Sequence, residues 1–303
     1  MFDLDDTIVQ GGSYVSPRVM AALTAARDAG YVLAVASGRP YCIVDRTVLK
    51  SGVMDYCVCA NGAEVVTARE GTSLLRCPMT LEDALDCYDI LRPFKPAWNA
   101  FFGGNAYFEL KGASYMLTGR AGAVARAING ETSPVSPPRK IAKIARRGFN
   151  FALRLFTNRR HKQVVRLLPH LRRAADGVEK MGCSIPNANK CIQAERVLGE
   201  DGRFEVIRMG TTELEITAHG VTKGTGARML MDYLGIDATH TVAFGDGAND
   251  LPLLTAVGRF VAMGNADEEV KEQATDVCAS VSEDGVALWI ENMLSRGGLD
   301  SLS

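Results

Sequence analysis

Two acidic residues near the start of the chain have the spacing of groups that act together. The first seven residues read Met1-Phe2-Asp3-Leu4-Asp5-Asp6-Thr7. Two apolar residues leading into a polar cluster predict the end of a strand that opens into a loop. In extended backbone, Asp3 and Asp5 would face the same way about 7 Å apart, and like charges that close repel. A divalent cation bound beside a phosphate group would remove this repulsion.

Three further polar clusters follow apolar segments suited to buried strands. These clusters are Ser37-Gly38 after residues 31–36, Lys223 a few residues after 214–217, and Asp246, Asn249 and Asp250 after 241–244. Alternating strands and helices in the first and last parts of the chain predict a parallel sheet with right-handed crossovers. Ligands of such sheets bind beyond the carboxyl ends of the strands. We therefore expect the clusters to meet at one edge of the sheet.

The same patterns predict the remaining elements. A helix is predicted to begin at Ser16-Pro17 and to end at Gly30. Other helices are predicted over 40–50, 223–235 and 283–294, and other strands over 56–60, 259–263 and 276–279. The middle of the chain predicts an α+β insertion, with strands over 149–156, 191–197 and 204–208 and a helix over 158–175. Since a strand usually has about five or six residues and only two precede Asp3, we expect further residues upstream.

Composition restricts the class of protein. With 303 residues, 47% of them apolar and 23% charged, the chain fits a globular protein of about two domains. The net charge of −1 gives no general attraction to nucleic acid or to an anionic membrane. No segment approaches the roughly 20 apolar residues of a membrane helix, and no signal peptide is evident. Eight cysteines without a regular framework favour a reduced, cytoplasmic protein.

Basic residues are concentrated in two stretches, over 139–147 and 159–162. The first interpretation is a solvated helical face, and the second is attraction of anionic substrates. The net charge near zero and the lack of aromatic residues among these charges disfavour nucleic-acid binding. We therefore expect neither a nucleic-acid nor a membrane partner.

Seven motifs, in order through both outer segments, identify a family resemblance. They are Asp3-Leu4-Asp5-Asp6-Thr7, Ser37-Gly38-Arg39, Asn61-Gly62-Ala63, Gly220-Val221-Thr222-Lys223-Gly224, Gly245-Asp246-Gly247-Ala248-Asn249-Asp250, Met263-Gly264-Asn265-Ala266 and Asp284-Gly285-Val286. With them the chain resembles a haloacid dehalogenase superfamily phosphohydrolase of the Cof-like branch. The resemblance implies an α/β, Rossmann-like parallel-sheet core from residues 1–77 and 211–303, with an inserted α+β cap over 78–210. Asp6 stands where the family has glycine, and aspartate tolerates turn geometry.

The resemblance also implies a mechanism. Asp3 would attack phosphorus and form an aspartyl-phosphate, while Asp5 would protonate the leaving oxygen and then activate water. Ser37 and Lys223 would complete the catalytic set. The phosphate would be bound by Leu4, Asp5, Ser37, Gly38, Lys223 and Asn249. Mg²⁺ would be bound or supported by Asp3, the carbonyl of Asp5, Asp246, Asn249 and Asp250.

The implied function is Mg²⁺-dependent hydrolysis of a small phosphorylated metabolite, such as a sugar phosphate or a cofactor phosphate. A phosphomutase of the same superfamily is an alternative, because cap residues decide whether the phosphoryl group goes to water. A signalling receiver also uses a phosphorylated aspartate and a lysine, but it needs neither the paired acids at the start nor the large insertion. A non-catalytic phosphate-binding protein is disfavoured, because Asp3, Asp5 and Lys223 are all present.

Several single residues also have simpler interpretations. Lys223 at a helix start would face the positive end of the helix dipole, a conflict that an anion would remove. Asp250 could be a helix-start charge alone, and Asn61 a turn residue alone. His219 is interpreted as structural or exposed, and Arg39 as a residue that orients its loop or reaches the substrate.

Overall fold

The computed structural model describes residues 1–11, 14–110 and 160–299. The chain divides into two compact units, the first formed by Met1–Pro78 with Thr217–Ser303 and the second by Met79–Ile216. The strand predicted over 149–156 and the basic stretch over 139–147 lie outside the described residues.

The elements are numbered in chain order. The strands are β1 (Ala34–Ala36), β2 (Tyr56–Cys59), β3 (Glu64–Thr67), β4 (Ser73–Arg76), β5 (Ala97–Phe102), β6 (Asn105–Glu109), β7 (His161–Val164), β8 (Lys180–Ser184), β9 (Phe204–Met209), β10 (Glu213–Ala218), β11 (Val242–Gly245), β12 (Arg259–Ala262) and β13 (Asp276–Val277). The α-helices are α1 (Pro17–Asp28), α2 (Arg46–Ser51), α3 (Leu81–Leu91), α4 (Leu168–Leu171), α5 (Ala188–Asp201), α6 (Lys223–Leu234), α7 (Glu268–Gln273) and α8 (Gly285–Ser295). Short 3₁₀ helices include Ala60–Gly62 and Ala248–Thr255.

The first unit has a parallel centre, as the sequence predicts. β1 pairs parallel with β2, and β11 pairs parallel with β12, which pairs parallel with β13. Phe2 joins the two groups, because it bridges Val35 of β1 and Phe244 of β11 in parallel. β3 pairs antiparallel with β2, and β4 pairs antiparallel with β3, so these two strands extend the sheet beyond β2. The sequence patterns did not predict them. The predicted α/β class is confirmed.

Local signals determine the two helices that flank the polar clusters. The Ser16 hydroxyl accepts a hydrogen bond from the Val19 amide, Pro17 occupies the first helical position, and Gly30 follows the helix with φ +94°. α6 begins after Thr222, whose hydroxyl accepts from the Thr225 amide, and ends at Gly235 in the left-handed region. Both predicted helices are confirmed.

The second unit contains a six-stranded sheet in the order β7-β6-β5-β8-β10-β9. β10 belongs to this sheet, because it pairs antiparallel with β8. The sequence pattern predicted the segment 214–217 as a strand of the sheet in the first unit, and its pairing with β8 shows that this prediction is wrong. The predicted strand over 204–208 is confirmed as β9. The boundary between the units therefore falls within β10, whereas the sequence placed it before 211.

Two element predictions in this unit are wrong. Residues 191–197 were predicted as a strand but belong to α5, because Cys191, Ala194 and Leu198 recur at helical spacing and are buried together. Part of the helix predicted over 158–175 is β7, whose first residue pairs parallel with Ala106 of β6. In that segment, pairing with a neighbouring strand overrides the local apolar pattern.

All eight cysteines lie within the described residues, and five of them are buried: Cys57, Cys59, Cys87, Cys183 and Cys191. Within the described ranges, no helix combines the length and the apolar character that crossing a bilayer would require.

Candidate active site

Asp3 lies at the junction of the two parallel strand groups. Its amide donates to the carbonyl of Phe244 at 2.9 Å, and its side chain is buried. The loop that follows is compact, because the amides of Ile8 and Val9 donate to the carbonyl of Leu4 at 3.2 and 2.7 Å. Asp6 has φ +57°, in the left-handed region that aspartate adopts more readily than most residues other than glycine, so this turn accepts aspartate.

The Asp246–Asp250 loop is organised by the carboxylate of Asp250. Its Oδ2 atom accepts from the amides of Asp246 and Gly247 at 3.0 and 3.1 Å, and the side chain is fully buried. A Cβ on Gly245 would lie 2.4 Å from Asp250 Cγ, so glycine leaves the space that this arrangement needs. Asp250 thus fixes the position of Asp246, which follows the strand β11 directly.

Lys223 connects these two loops. Its Nζ atom donates to Asp3 Oδ1 at 2.6 Å and to Asp250 Oδ1 at 2.7 Å, and its side chain has no exposed surface. Burial alone would lower the pKa of Lys223, but the attraction of Asp250 and Asp3 outweighs it and raises the pKa. The conflict expected at this helix start is therefore relieved by two carboxylates of the chain itself.

Three carboxylates of this site could share a cation. Oxygen atoms of Asp3, Asp246 and Asp250 lie within 4.8 Å of one another. Burial raises the pKa of Asp246 to about 8, and repulsion from Asp3 and Asp250 adds to the effect. Burial also raises the pKa of Asp3, although the Lys223 ammonium opposes it. Because Lys223 neutralises only part of this charge, an oxygen-coordinated divalent cation fits the donor set.

Ser37 and Asn61 meet beside this cluster. Ser37 is buried at the end of β1, its hydroxyl accepts from the Arg39 amide at 3.3 Å, and its carbonyl accepts from the Asn61 amide at 3.1 Å. Asn61 has φ +55° and ψ +34°, and its Oδ1 atom accepts from Asn249 Nδ2 at 3.4 Å. Asn61 is thus more than a turn residue, since it joins the Ser37 loop to the Asp246–Asp250 loop.

Gly62 lets the Asn61 turn approach the start of α6, which predicts a large effect of substitution. A Cβ at Gly62 would lie 2.0 Å from the Thr222 carbonyl oxygen, at φ +96°. Gly30 has nearly the same φ, +94°, but nothing within 4 Å of its Cβ position. We expect Gly62→Ala to lower the free energy of unfolding by at least about 2 kcal/mol more than Gly30→Ala, in urea denaturation. Equal losses in the two variants would contradict this close packing.

The other predicted site residues differ in their burial and in their contacts. The side chain of Asp5 is half exposed, lies outside the three-carboxylate group and pairs with Arg39. Leu4 is fully buried, and Gly38 lies between Ser37 and Arg39 in one loop. His219 is exposed, in agreement with its sequence interpretation.

Asn265 belongs to one of the seven motifs, but it was assigned no role from the sequence. Asn265 Nδ2 donates to the Asp6 carbonyl at 2.8 Å, and its Oδ1 accepts from the Val281 amide at 2.7 Å. Asn265 therefore tethers the loop that carries Asp3 and Asp5. The sequence signal that could have indicated this role is the position of an asparagine shortly after the apolar strand β12.

Comparison with known proteins supports the resemblance. A family model described as haloacid dehalogenase-like hydrolase matches residues 1–290. The 5-amino-6-(5-phospho-D-ribitylamino)uracil phosphatase YwtE of Bacillus subtilis (strain 168) is 26% identical over 296 residues, which cover 97% of this chain and 96% of that protein. A phosphoglycolate phosphatase of Methanopyrus kandleri is 40% identical over 107 residues, covering 34% of this chain and 46% of that protein.

Coverage differs among these relatives. A Haemophilus influenzae protein named as a phosphatase is 41% identical over 108 residues, which cover 35% of this chain and 41% of that protein. This chain therefore spans less than half the length of the Haemophilus and Methanopyrus relatives in the matched segments.

Solved structures share the fold over nearly the whole chain. A haloacid dehalogenase-like hydrolase from B. subtilis has a TM-score of 0.78 at 21% identity, with 96% of this chain and 98% of that chain covered. A HAD subclass IIB sugar phosphatase has a TM-score of 0.71 at 22% identity, with 96% of each chain covered. At these identities, the likeness concerns the fold.

Proposed function

Because the chain belongs to the haloacid dehalogenase-like hydrolases, we propose that it is a Mg²⁺-dependent phosphatase of small phosphorylated metabolites. The observation that carries the proposal is the buried cluster in which Lys223 contacts both Asp3 and Asp250, beside Asp246. A buried excess of acid at strand ends suits a site that binds a cation and then a phosphate dianion.

In this proposal, Asp3 is the nucleophile. Lys223 contacts its Oδ1 atom, which leaves Oδ2 to attack phosphorus. The bond between phosphorus and the ester oxygen breaks, Asp5 gives a proton to the departing oxygen, and an aspartyl-phosphate forms. Water then attacks phosphorus, Asp5 takes a proton from that water, and the bond to Asp3 breaks. The products are an alcohol and free phosphate, and both carboxyl groups return to their initial states.

The remaining residues bind and orient. The Ser37 hydroxyl and the amides of Leu4, Asp5 and Gly38 are the proposed donors to phosphate oxygens. Lys223 supplies fixed positive charge, while Asn249 and Asp250 support the loop that carries Asp246. A Mg²⁺ ion bound by Asp3, Asp246 and the Asp5 carbonyl would neutralise charge on the transferred phosphoryl group.

The substrate class is proposed as a sugar phosphate or a phosphorylated cofactor or its precursor. Support comes from the full-length relative, which is named for a phosphoribityl compound, and from a second relative named for phosphoglycolate. Both of those names describe small phosphate monoesters. A cytoplasmic setting is proposed from the cysteine usage of the sequence, eight residues without a regular framework.

Metal binding predicts a change in thermal stability without substrate. We expect saturating Mg²⁺ to raise the Tm of the metal-free protein, because a ligand at about 100 times its Kd adds about 2.7 kcal/mol of stability. The increase should be lost in Asp246→Asn and kept in Asp237→Asn, where the replaced carboxylate caps a 3₁₀ helix by accepting from the Thr239 amide. Differential scanning calorimetry measures this shift, and an equal increase in Asp246→Asn would contradict the metal assignment.

Phosphate release tests the activity itself. With p-nitrophenyl phosphate and metabolite phosphates, turnover should depend on Mg²⁺ and stop on chelation. Appearance of free phosphate separates hydrolysis from phosphomutase activity, which would return the phosphoryl group to a substrate. Metal-independent turnover, or isomerised substrate without free phosphate, would contradict the proposal.

A further inference from the structure

Two of the seven motifs, over 263–266 and 284–286, supply no group to the proposed reaction. The first follows strand β12, and the second lies at the start of helix α8. They meet at Ala279, because the Gly264 amide donates to the Ala279 carbonyl at 3.3 Å. A Cβ at Gly285 would lie 1.9 Å from the same carbonyl oxygen. This close packing fixes the two segments against each other.

The segment 264–267, which we call the connecting segment, contacts both loops that carry proposed metal ligands. Asn265 Nδ2 donates to the Asp6 carbonyl at 2.8 Å, in the loop at the start of the chain. The Asp267 amide donates to the Asp246 carbonyl at 3.2 Å, in the loop after β11. The connecting segment therefore links the two loops from one side.

The side-chain amide of Asn265 has a fixed orientation. Its Oδ1 atom accepts from the Val281 amide at 2.7 Å, which directs its Nδ2 atom to the Asp6 carbonyl. The turn beside Val281 is itself closed, because the Ser280 amide donates to Glu283 Oε2 at 3.2 Å. Asparagine accepts at one end and donates at the other, whereas an ionised aspartate can only accept.

The hydrogen bond from Asn265 reaches a residue with an uncommon backbone conformation. Asp6 has φ +57°, a value that side chains other than glycine adopt at an energetic cost. The Asp6 amide donates to the Val9 carbonyl at 3.0 Å, and its carbonyl accepts from Asn265. The peptide groups on both sides of Asp6 are thus held, and with them the path of the loop.

The spacing of the two loops matters more for a small cation than for a large one. Mg²⁺ requires nearly octahedral geometry at about 2.0–2.1 Å, whereas Ca²⁺ accepts irregular geometry at about 2.3–2.6 Å. A site whose ligand loops can shift should therefore lose affinity for Mg²⁺ before it loses affinity for Ca²⁺.

We propose that Asn265 is a positioning residue that fixes the spacing of the two ligand loops and thereby favours Mg²⁺ over Ca²⁺. The inference rests on the proposed function, because it requires a cation bound by Asp3 and Asp246. Asn265 acts through the backbone of Asp6 and is not itself a metal ligand.

The test is isothermal titration calorimetry of the metal-free protein with MgCl₂ or CaCl₂, without substrate. Asn265→Ala removes both side-chain contacts and adds no charge. We expect its Kd for Mg²⁺ to rise about 10-fold, as when a group that orients a metal ligand is replaced, and its Kd for Ca²⁺ to rise less than about 3-fold. The preference for Mg²⁺ should therefore fall.

Asn265→Asp separates positioning from charge. The carboxylate can still accept from the Val281 amide, but it places an oxygen where the donor to the Asp6 carbonyl was. Added negative charge alone would lower the Kd for both cations. We expect the Kd for Mg²⁺ to rise instead, because the lost contact outweighs the added charge. Since Asn265 is exposed, both variants should stay folded, and thermal unfolding without metal checks this.

Asn292→Asp is the matched control. It adds the same charge on α8, where the Asn292 Oδ1 atom accepts from Arg296 Nε at 3.1 Å and aspartate keeps that contact. Its Kd values should equal those of the wild type. Mg²⁺ binding by Asn265→Asp that is as tight as in the wild type or tighter, or equal fold-losses for the two cations in Asn265→Ala, would overturn the inference alone. Mg²⁺ binding that is absent from the wild type, or unchanged in Asp246→Asn, would overturn the proposed function instead.

Discussion

Lys223→Met should lose both activity and stability. The ammonium of Lys223 is fully buried against Asp3 and Asp250, and methionine keeps the apolar part of the side chain while removing the charge. Breaking a buried ion pair by removing one partner costs about 3–5 kcal/mol. Loss of a preorganised charge at the transferring phosphoryl group should lower kcat by at least about 10²–10³-fold. Denaturant unfolding and phosphate release measure the two effects.

Two variants separate stability from chemistry. In Lys223→Met/Asp250→Asn, one of the stranded carboxylates becomes neutral, so part of the stability should return while activity stays lost. Lys271→Met removes a lysine that pairs with exposed Glu268 on α7, and it should change neither property substantially. A Lys223→Met protein with the stability and turnover of the wild type would contradict the arrangement of charges described above.

Asp3→Asn should abolish turnover while the protein stays folded. The amide is poorly nucleophilic, so kcat should fall by at least about 10³-fold, as for other nucleophile replacements. Its oxygen can still accept the hydrogen bond from Lys223, and the substitution removes a buried carboxyl whose pKa burial has raised. We therefore expect the Tm to stay close to that of the wild type, or to rise.

The control for Asp3→Asn is Asp237→Asn, in which asparagine keeps a capping oxygen at an exposed site. This variant should retain full activity and stability. Turnover by folded Asp3→Asn at a rate comparable to the wild type would exclude Asp3 as the nucleophile.

The positions of Asp3, Ser37 and Asp246 follow from patterns that are visible in the sequence. Each comes after an apolar run, and the carboxyl ends of parallel strands meet at one edge of a sheet. The helix that carries Lys223 has equally local signals, Thr222 at its start and Gly235 at its end. Strand ends and helix ends of this kind can be predicted, because residues adjacent in the sequence determine them.

Other features depend on contacts between distant segments. Residues 191–197 form a short apolar run that fits a strand or a helix, and burial of Cys191 with Ala194 and Leu198 decides for the helix. The sequence of β10 is compatible with the sheet of either unit, and its pairing with β8 places it in the sheet of the second unit. The hydrogen bond from Arg39 to Asp5 joins residues that are 34 positions apart in the sequence. It depends on a loop conformation that no local sequence pattern specifies.

Trapping the phosphoenzyme tests the central claim, which is that Asp3 carries the phosphoryl group during turnover. The enzyme would be mixed with excess substrate and Mg²⁺, quenched in acid, and mapped by peptide mass spectrometry. We predict a phosphoryl group on the peptide that contains Asp3, increased in Asp5→Asn and absent in Asp3→Asn. A phosphoryl group on another residue, or continued turnover with no phosphorylated peptide, would contradict the mechanism.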